Sequence, residues 1–153
     1  SSSEPLDIAI HEAILENNRN DYRKSDISLE SHVVLETETS GSPGSERESE
    51  SVTVYAMVLY LEYELKDGKI DPSTESGSHI PIAMTFDIRA DGSYLLREYW
   101  QPRDGSYYKP DIEGKFPKSV WRYALDTQRF IERQQKNIDR ELVARGYMDD
   151  QKK

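Results

Sequence analysis

There is no cysteine among the 153 residues of this chain, so disulfides, thiolate zinc sites and cysteine nucleophiles are all excluded. That absence suits the cytoplasm and a Gram-positive exterior equally, and it does not choose between them. Long apolar runs are also missing: none approaches the roughly 18 residues that a membrane-spanning helix needs, and the segment is not expected to insert into a bilayer. Positive charge is in deficit. With 20 basic against 29 acidic residues the net charge is −9, which repels phosphate backbones and anionic head groups, so no nucleic-acid partner is expected. The chain opens SSSEP with no Met, apolar leader or basic flank, and it reads as an excised or processed segment. No internal repeat is visible. What remains, 35% hydrophobic and 32% charged residues, is lean but sufficient for one domain over 1–153 with a core of its own.

The most informative stretch runs from His79 to Ile112. Ile80, Ile82, Met84, Phe86 and Ile88 recur at every second position, which places all five on one face of a strand. Asp91-Gly92 is expected to supply the positive-φ residues of a tight turn, and a second alternating run, Tyr94 to Trp100, returns. Pro102, Asp104-Gly105 and Pro110 then break the chain into turns that carry a dense aromatic-basic group: Tyr94, Arg97, Tyr99, Trp100, Arg103, Tyr107 and Tyr108.

Upstream, Pro5 opens a helix whose apolar stripe is Leu6, Ala9, Ile10, Ala13 and Ile14, ending at Asn17-Asn18. Residues 27–38 alternate as a strand with one wet face carrying Ser28, Glu30, His32 and Glu36. Residues 40–50 read as a flexible polar loop and 66–79 as a second long connection. Between them, residues 52–64 are apolar on both faces. Val52, Val54, Ala56 and Val58 lie on one and Tyr55, Met57, Leu59, Leu61 and Tyr63 on the other, the pattern of a central strand covered on both sides by the first and last helices. After Pro110 come a short helix with Val120, Trp121, Ala124 and Leu125, and a longer one striped by Phe130, Ile131, Gln134, Ile138, Leu142 and Val143. Asp126 or Thr127 caps the longer helix and Gly146 stops it. The expected class is α+β: an N-terminal helix, a four-stranded antiparallel sheet and C-terminal helices packed on the sheet. The specific arrangement expected is cystatin-like, with a helix across a curved sheet.

Catalytic motifs fail on inspection. His11-Glu12-Ala13-Ile14-Leu15 has Leu15 where a zinc peptidase helix needs its second His. His11, His32 and His79 share no ligand spacing; a metal would require tertiary convergence with a carboxylate such as Glu30 or Asp87, and none is expected. Ser106-Tyr107-Tyr108-Lys109 is formally S-x-x-K, but the accompanying Ser-Asp-Asn and Lys-Thr-Gly elements are missing and the flanking Gly105 and Pro110 favour a turn. Hence no catalytic residue, metal or cofactor is expected.

The strings EYWQPRDGSYY (98–108), KFPKSVWRYALDTQRFIE (115–132), ESHVVLETE (30–38) and VTVYAMVLYLEY (52–63) resemble the C-terminal extracytoplasmic portion of clostridial members of the antibiotic-sensing membrane metallopeptidase family. That family includes the β-lactam sensor-transducers of Gram-positive bacteria. The resemblance implies an extracytoplasmic domain tethered to the cell membrane through its parent chain, with the peptidase site elsewhere in that chain. On this expectation the domain is a non-enzymatic accessory or sensor module. It would recognise a ligand or a protein partner, the rest of its own membrane protein included, through Arg97, Tyr99, Trp100, Arg103, Tyr107 and Tyr108. The alternatives are an independent small-molecule-binding or hydrolytic α+β domain with a pocket between helix and sheet, and a structural spacer or dimerisation module.

Overall fold

The structure is a computed structural model that describes residues 4–19, 25–41 and 50–150. Helix α1 (Pro5–Arg19) is followed by four strands, β1 (Ile27–Ser40), β2 (Glu50–Lys66), β3 (Lys69–Ile88) and β4 (Tyr94–Trp100). A 3₁₀ turn over Gly105–Tyr107 leads into α2 (Tyr108–Lys115). A second over Lys118–Val120 leads into α3 (Trp121–Ala124), and α4 (Gln128–Ala144) closes the described chain. The strands form one antiparallel sheet in the order β1-β2-β3-β4, each pairing with its neighbour in sequence. This is the expected α+β class, with helices on both faces of the sheet.

Each face owes its cover to the strand alternation. On one, Val52, Val54, Ala56, Val58 and Tyr60 of β2 and Ile82, Met84 and Phe86 of β3 bury against Ile10, Ala13 and Ile14 of α1. On the other, Leu29, Leu59, Leu61 and Tyr63 pack on Ile138 and Leu142 of α4. Further along that face Tyr55 and Ala83 meet Ile112, Phe116, Val120 and Ala124. The stripe on α4 is the expected one, and it ends as expected: Gly146 has φ +82°, Gly146 N donates to Val143 O and Tyr147 N to Leu142 O, the paired bonds of a Schellman cap.

Three expectations need correction. The long connection over 66–79 does not exist. Asp67 (φ 54°) and Gly68 (φ 79°) form a two-residue turn between Lys66 and Lys69, and β3 runs on from there for 20 residues. Positive φ at both central positions is what a type I′ hairpin turn requires. The polar composition of 71–78 suits a strand whose outer edge has no strand partner among the described residues, and Pro72 in that stretch and Pro81 just beyond it both precede the residues that pair with β4, where strand proline is tolerated. Second, Asp91-Gly92 is not a two-residue turn. Arg89 N donates to Ser93 O, only Gly92 has positive φ (+85°), and Asp91 Oδ1 instead accepts from Ser93 N at 2.9 Å. Third, the face of β1 expected to be wet is covered by α1 at Glu30 and His32, while the bulge between Val34 and Glu36 turns Glu36 to the opposite face, where it accepts from Ser119 Oγ at 3.0 Å. The loop expected over 40–50 has its ends, Ser40 and Glu50, in β1 and β2, while residues 42–49 lie outside the described residues.

Candidate functional site

The expected aromatic-basic group is built where β4 ends and α2 begins, and the sheet divides it. Trp100 pairs with Ala83 and Tyr99 with Met84, so the two rings point to opposite faces. Tyr99 packs with the α1 core. There Asn18 Nδ2 donates to its hydroxyl at 3.4 Å, and burial pushes that hydroxyl up to about 12. Trp100 packs on the α2 face, its ring 5.9 Å from that of Phe116. Arg97 is the extra residue of a bulge opposite Thr85 and Phe86, and it sits 3.2 Å from Asp87 at the sheet edge. The bulge also explains why Tyr94 and Tyr99, five positions apart, share the α1 face.

Arg103, Tyr107 and Tyr108 do converge, and Trp100 and Tyr108 share one core cluster beneath them. Asp111 organises the corner. Its Oδ2 accepts from both Arg103 N and Arg103 Nε at 2.9 Å, and its Oδ1 accepts from Nη2 at 2.8 Å. These bonds hold the Asp111 carboxyl down at about 2. So fixed, the guanidinium lies 4.1 Å from the centroid of the Tyr107 ring, and Tyr107 is 55% exposed. Tyr108 is half-buried in the α2 cluster and burial raises its hydroxyl. Of the six expected residues, Arg103 and Tyr107 present an outward surface, Trp100 and Tyr108 support it, Arg97 is at the β4 edge and Tyr99 is on the far face. The segment 105–115 is helical instead of a turn, because Pro110 falls in the first turn of α2, where a missing N–H leaves nothing unpaired. Ser106 and Lys109 are both exposed on it.

A different constellation escaped the sequence reading. His32 on β1 is bonded at both ring nitrogens, with Nε2 2.6 Å from Asp7 Oδ1 on α1 and Nδ1 2.8 Å from Glu30 Oε1. The second oxygen of Glu30 meets His11 Nδ1 of α1 at 2.7 Å. The Glu30 side chain is only 4% exposed and that of His32 9%, so a chain of four titratable groups, Asp7, His32, Glu30 and His11, ties helix to sheet with its two inner members buried and its two outer members open to water. Burial alone lowers His32, but the Glu30 and Asp7 carboxylates outweigh it and raise the ring above its ordinary value. The signal in the sequence was Glu30 and His32 on one strand face with Asp7 and His11 one helical turn apart. Convergence of His11 and His32 with Glu30 enters the sequence reading only as a metal site, and with the Glu30 and His32 face of the strand assigned to solvent, nothing places Asp7 against it. Among the described residues, no group of three or more His, Cys, Asp or Glu is arranged to hold a metal ion.

The third histidine is structural. His79 Nε2 lies 2.6 Å from Oε1 of Gln134, which is fully buried, and Gln134 Nε2 donates to Ser31 O at 2.7 Å and Met57 O at 3.0 Å. Another buried carboxylate, Glu62, accepts from Tyr60 Oη at 2.5 Å and from Ser25 Oγ, beside a polar cleft of about 170 Å³ lined by Asn18, Ser76 and Ser78. A larger open cleft of about 850 Å³ lies over the end of α4, between Lys136, Asp139, Arg140, Val143 and Met148. Neither brings together a nucleophile, a base and a donor pair for a developing charge.

The Arg103–Tyr107 corner faces solvent, whereas His32, Gln134 and Glu62 sit in buried polar networks. No helix among the described residues is long and apolar enough to cross a membrane. Comparison of the chain with protein-family models, curated proteins and solved structures finds no match in any of the three.

Proposed function

We propose that the chain is a non-enzymatic recognition domain, an extracytoplasmic accessory or sensor module of a membrane metallopeptidase regulator, and that it holds its ligand or protein partner at the Arg103–Tyr107 corner. The observation that carries this reading is the pinned guanidinium. Asp111 fixes Arg103 against an exposed aromatic ring before any partner arrives, so little side-chain freedom remains to be lost on binding. The tight packing of α1 on the sheet supports a surface contact over a pocket between helix and sheet. The membrane and peptidase context rests on the sequence resemblance.

The corner separates into a face and a foundation by mutation. Tyr107→Ala should change stability by no more than about 0.5 kcal/mol, as at other exposed positions. Trp100→Ala, which empties space beside Phe116 and Tyr55, should cost about 2–4 kcal/mol in a urea melt. Equal costs for the two would remove the distinction.

The test of function is a thermal-shift screen against cell-wall fragments, β-lactams, cationic peptides and divalent metals, with hits confirmed by calorimetry. A ligand at a hundredfold its Kd adds about 2.7 kcal/mol and raises Tm by several degrees. The expected result is a hit that Arg103→Ala and Tyr107→Ala both abolish. A hit that survives both changes places recognition elsewhere, and no hit with any probe or with the rest of the parent chain points to the spacer or dimerisation reading, to be read from sedimentation of the domain.

A further inference from the structure

We propose that α1 is a pH-operated latch, held on β1 by the doubly protonated ring of His32 and released at its first turn when that ring loses a proton. Ionised carboxylates only accept, so both nitrogens of His32 must carry hydrogen for Asp7 at 2.6 Å and Glu30 at 2.8 Å both to be bonded. A neutral imidazole has one N–H and one lone pair. Whichever tautomer it takes, it turns a lone pair on a carboxylate oxygen at hydrogen-bond distance. His11 is under no such constraint: it meets Glu30 Oε2 through Nδ1 alone, and an Nδ1–H donor exists in one neutral tautomer as well as in the cation. The change of state therefore falls on His32.

Burial decides which contact breaks. Glu30 is 4% exposed and keeps the His11 donor, whereas Asp7 is 38% exposed and can take water in place of the ring. On deprotonation His32 retains Nδ1–H toward Glu30 and gives up Asp7. The first turn of α1 is then untied, while Ile10 and Ile14 stay in the core and Asn18 keeps its bond to Ile14 O at 2.8 Å.

Tyr60 of β2 and Tyr99 of β4 are held protonated well above neutrality, and Glu62 of β2 is bonded to Tyr60. β3 contributes Ile80, Ile82, Met84 and Phe86 there, with no ionisable group. The sign follows from the raised folded-state value of His32: its contribution is complete below the ordinary value of about 6.5 and is lost as pH rises through the folded one. The latch is closed in acid and opens toward alkali. It lies on the face of the sheet opposite the Arg103–Tyr107 corner, so it stands or falls separately from the recognition reading.

The test is an NMR titration of the intact domain from pH 5 to 9, following the ring nitrogens of His32 and amide exchange across α1. His32 should carry both ring hydrogens at pH 6 and titrate above about 6.5. Between the ordinary value of about 6.5 and the His32 midpoint, protection at residues 8–11, corrected for intrinsic exchange, should fall by up to about tenfold per pH unit, and it should level off above the midpoint. Protection around Gln134 should not follow. His32→Gln should abolish the step, and Asp7→Asn should lower the His32 midpoint. A His32 midpoint at or below the ordinary value, protection of the first turn that ignores pH, or a step that persists in His32→Gln would each overturn the latch. Should His32→Gln fail to fold, the titration of the unaltered chain decides alone.

Discussion

Gly77→Ala is expected to abolish cooperative folding or to cost more than about 4 kcal/mol, the exceptional end of single-residue effects. A Cβ built at Gly77 would stand 1.9 Å from Tyr60 O, 2.9 Å from Tyr60 C and 3.0 Å from Leu61 Cα. Every one of those atoms is backbone of the paired strand, where Gly77 faces Leu61, and no side-chain rotamer can relieve the clash. The strands would have to part beside the Glu62/Glu64 bulge, disturbing the Tyr60 bond to Glu62 on the way. Gly92→Ala supplies the comparison. It shares a positive φ, +85°, but nothing lies within 4 Å of its added carbon, so only the conformational cost of about 1 kcal/mol applies. Urea melts of the two variants followed by circular dichroism should differ severalfold in cost. Similar midpoints would mean that β2 and β3 are not in this register.

Gln134→Leu should cost about 3–5 kcal/mol although it replaces a polar residue in the core with an apolar one of similar size. The change removes the donor that reaches both the Ser31 and Met57 carbonyls and takes away the partner of the His79 ring nitrogen, and a buried group that loses its partner costs about 1–3 kcal/mol. Gln134→Glu is expected to be worse near neutral pH and to recover in acid, because only a protonated carboxyl can donate to either carbonyl. Burial also holds His79 below its ordinary value, so its contribution is present at high pH and is lost as pH falls through the folded value. That is the reverse of His32. His32 and His79, on opposite faces of one sheet, should therefore bend the stability profile in opposite directions, and His79→Gln should remove only the loss that begins below the ordinary histidine value of about 6.5, leaving the carboxylate-linked loss at lower pH.

Apolar periodicity made much of this architecture legible. The alternation in β2 named both of its faces correctly because two helices bury them, and the stripe on α4 named its own contact residues, Gln134 included. Polar residues misled wherever solvent was assumed. Glu30 and His32 are as polar as any surface pair, and only the position of α1 makes them interior. The Ser, Thr and Glu content of 71–78 read as loop because an edge strand buries little, although Asp67-Gly68 was a sound hairpin signal. The aromatic-basic group was legible as a group but not as a site: alternate strand positions send Tyr99 and Trp100 to different faces, and the bulge at Arg97 that decides which face carries no mark in composition.

A sheet whose strands pair only with their chain neighbours also dictates an order of assembly. The two residues between β2 and β3 close with almost no loop entropy, so the ribbon can zip from Asp67-Gly68 outward on the microsecond scale of hairpins. The helices wait. Asn18 reaches Tyr99 across 81 residues and Gln134 reaches Ser31 across 103, contacts that exist only once the strands between them are aligned. During synthesis α1 therefore leaves the ribosome long before the surface it covers, and its Ile10 and Ile14 face must wait for β4 to emerge before it can dock.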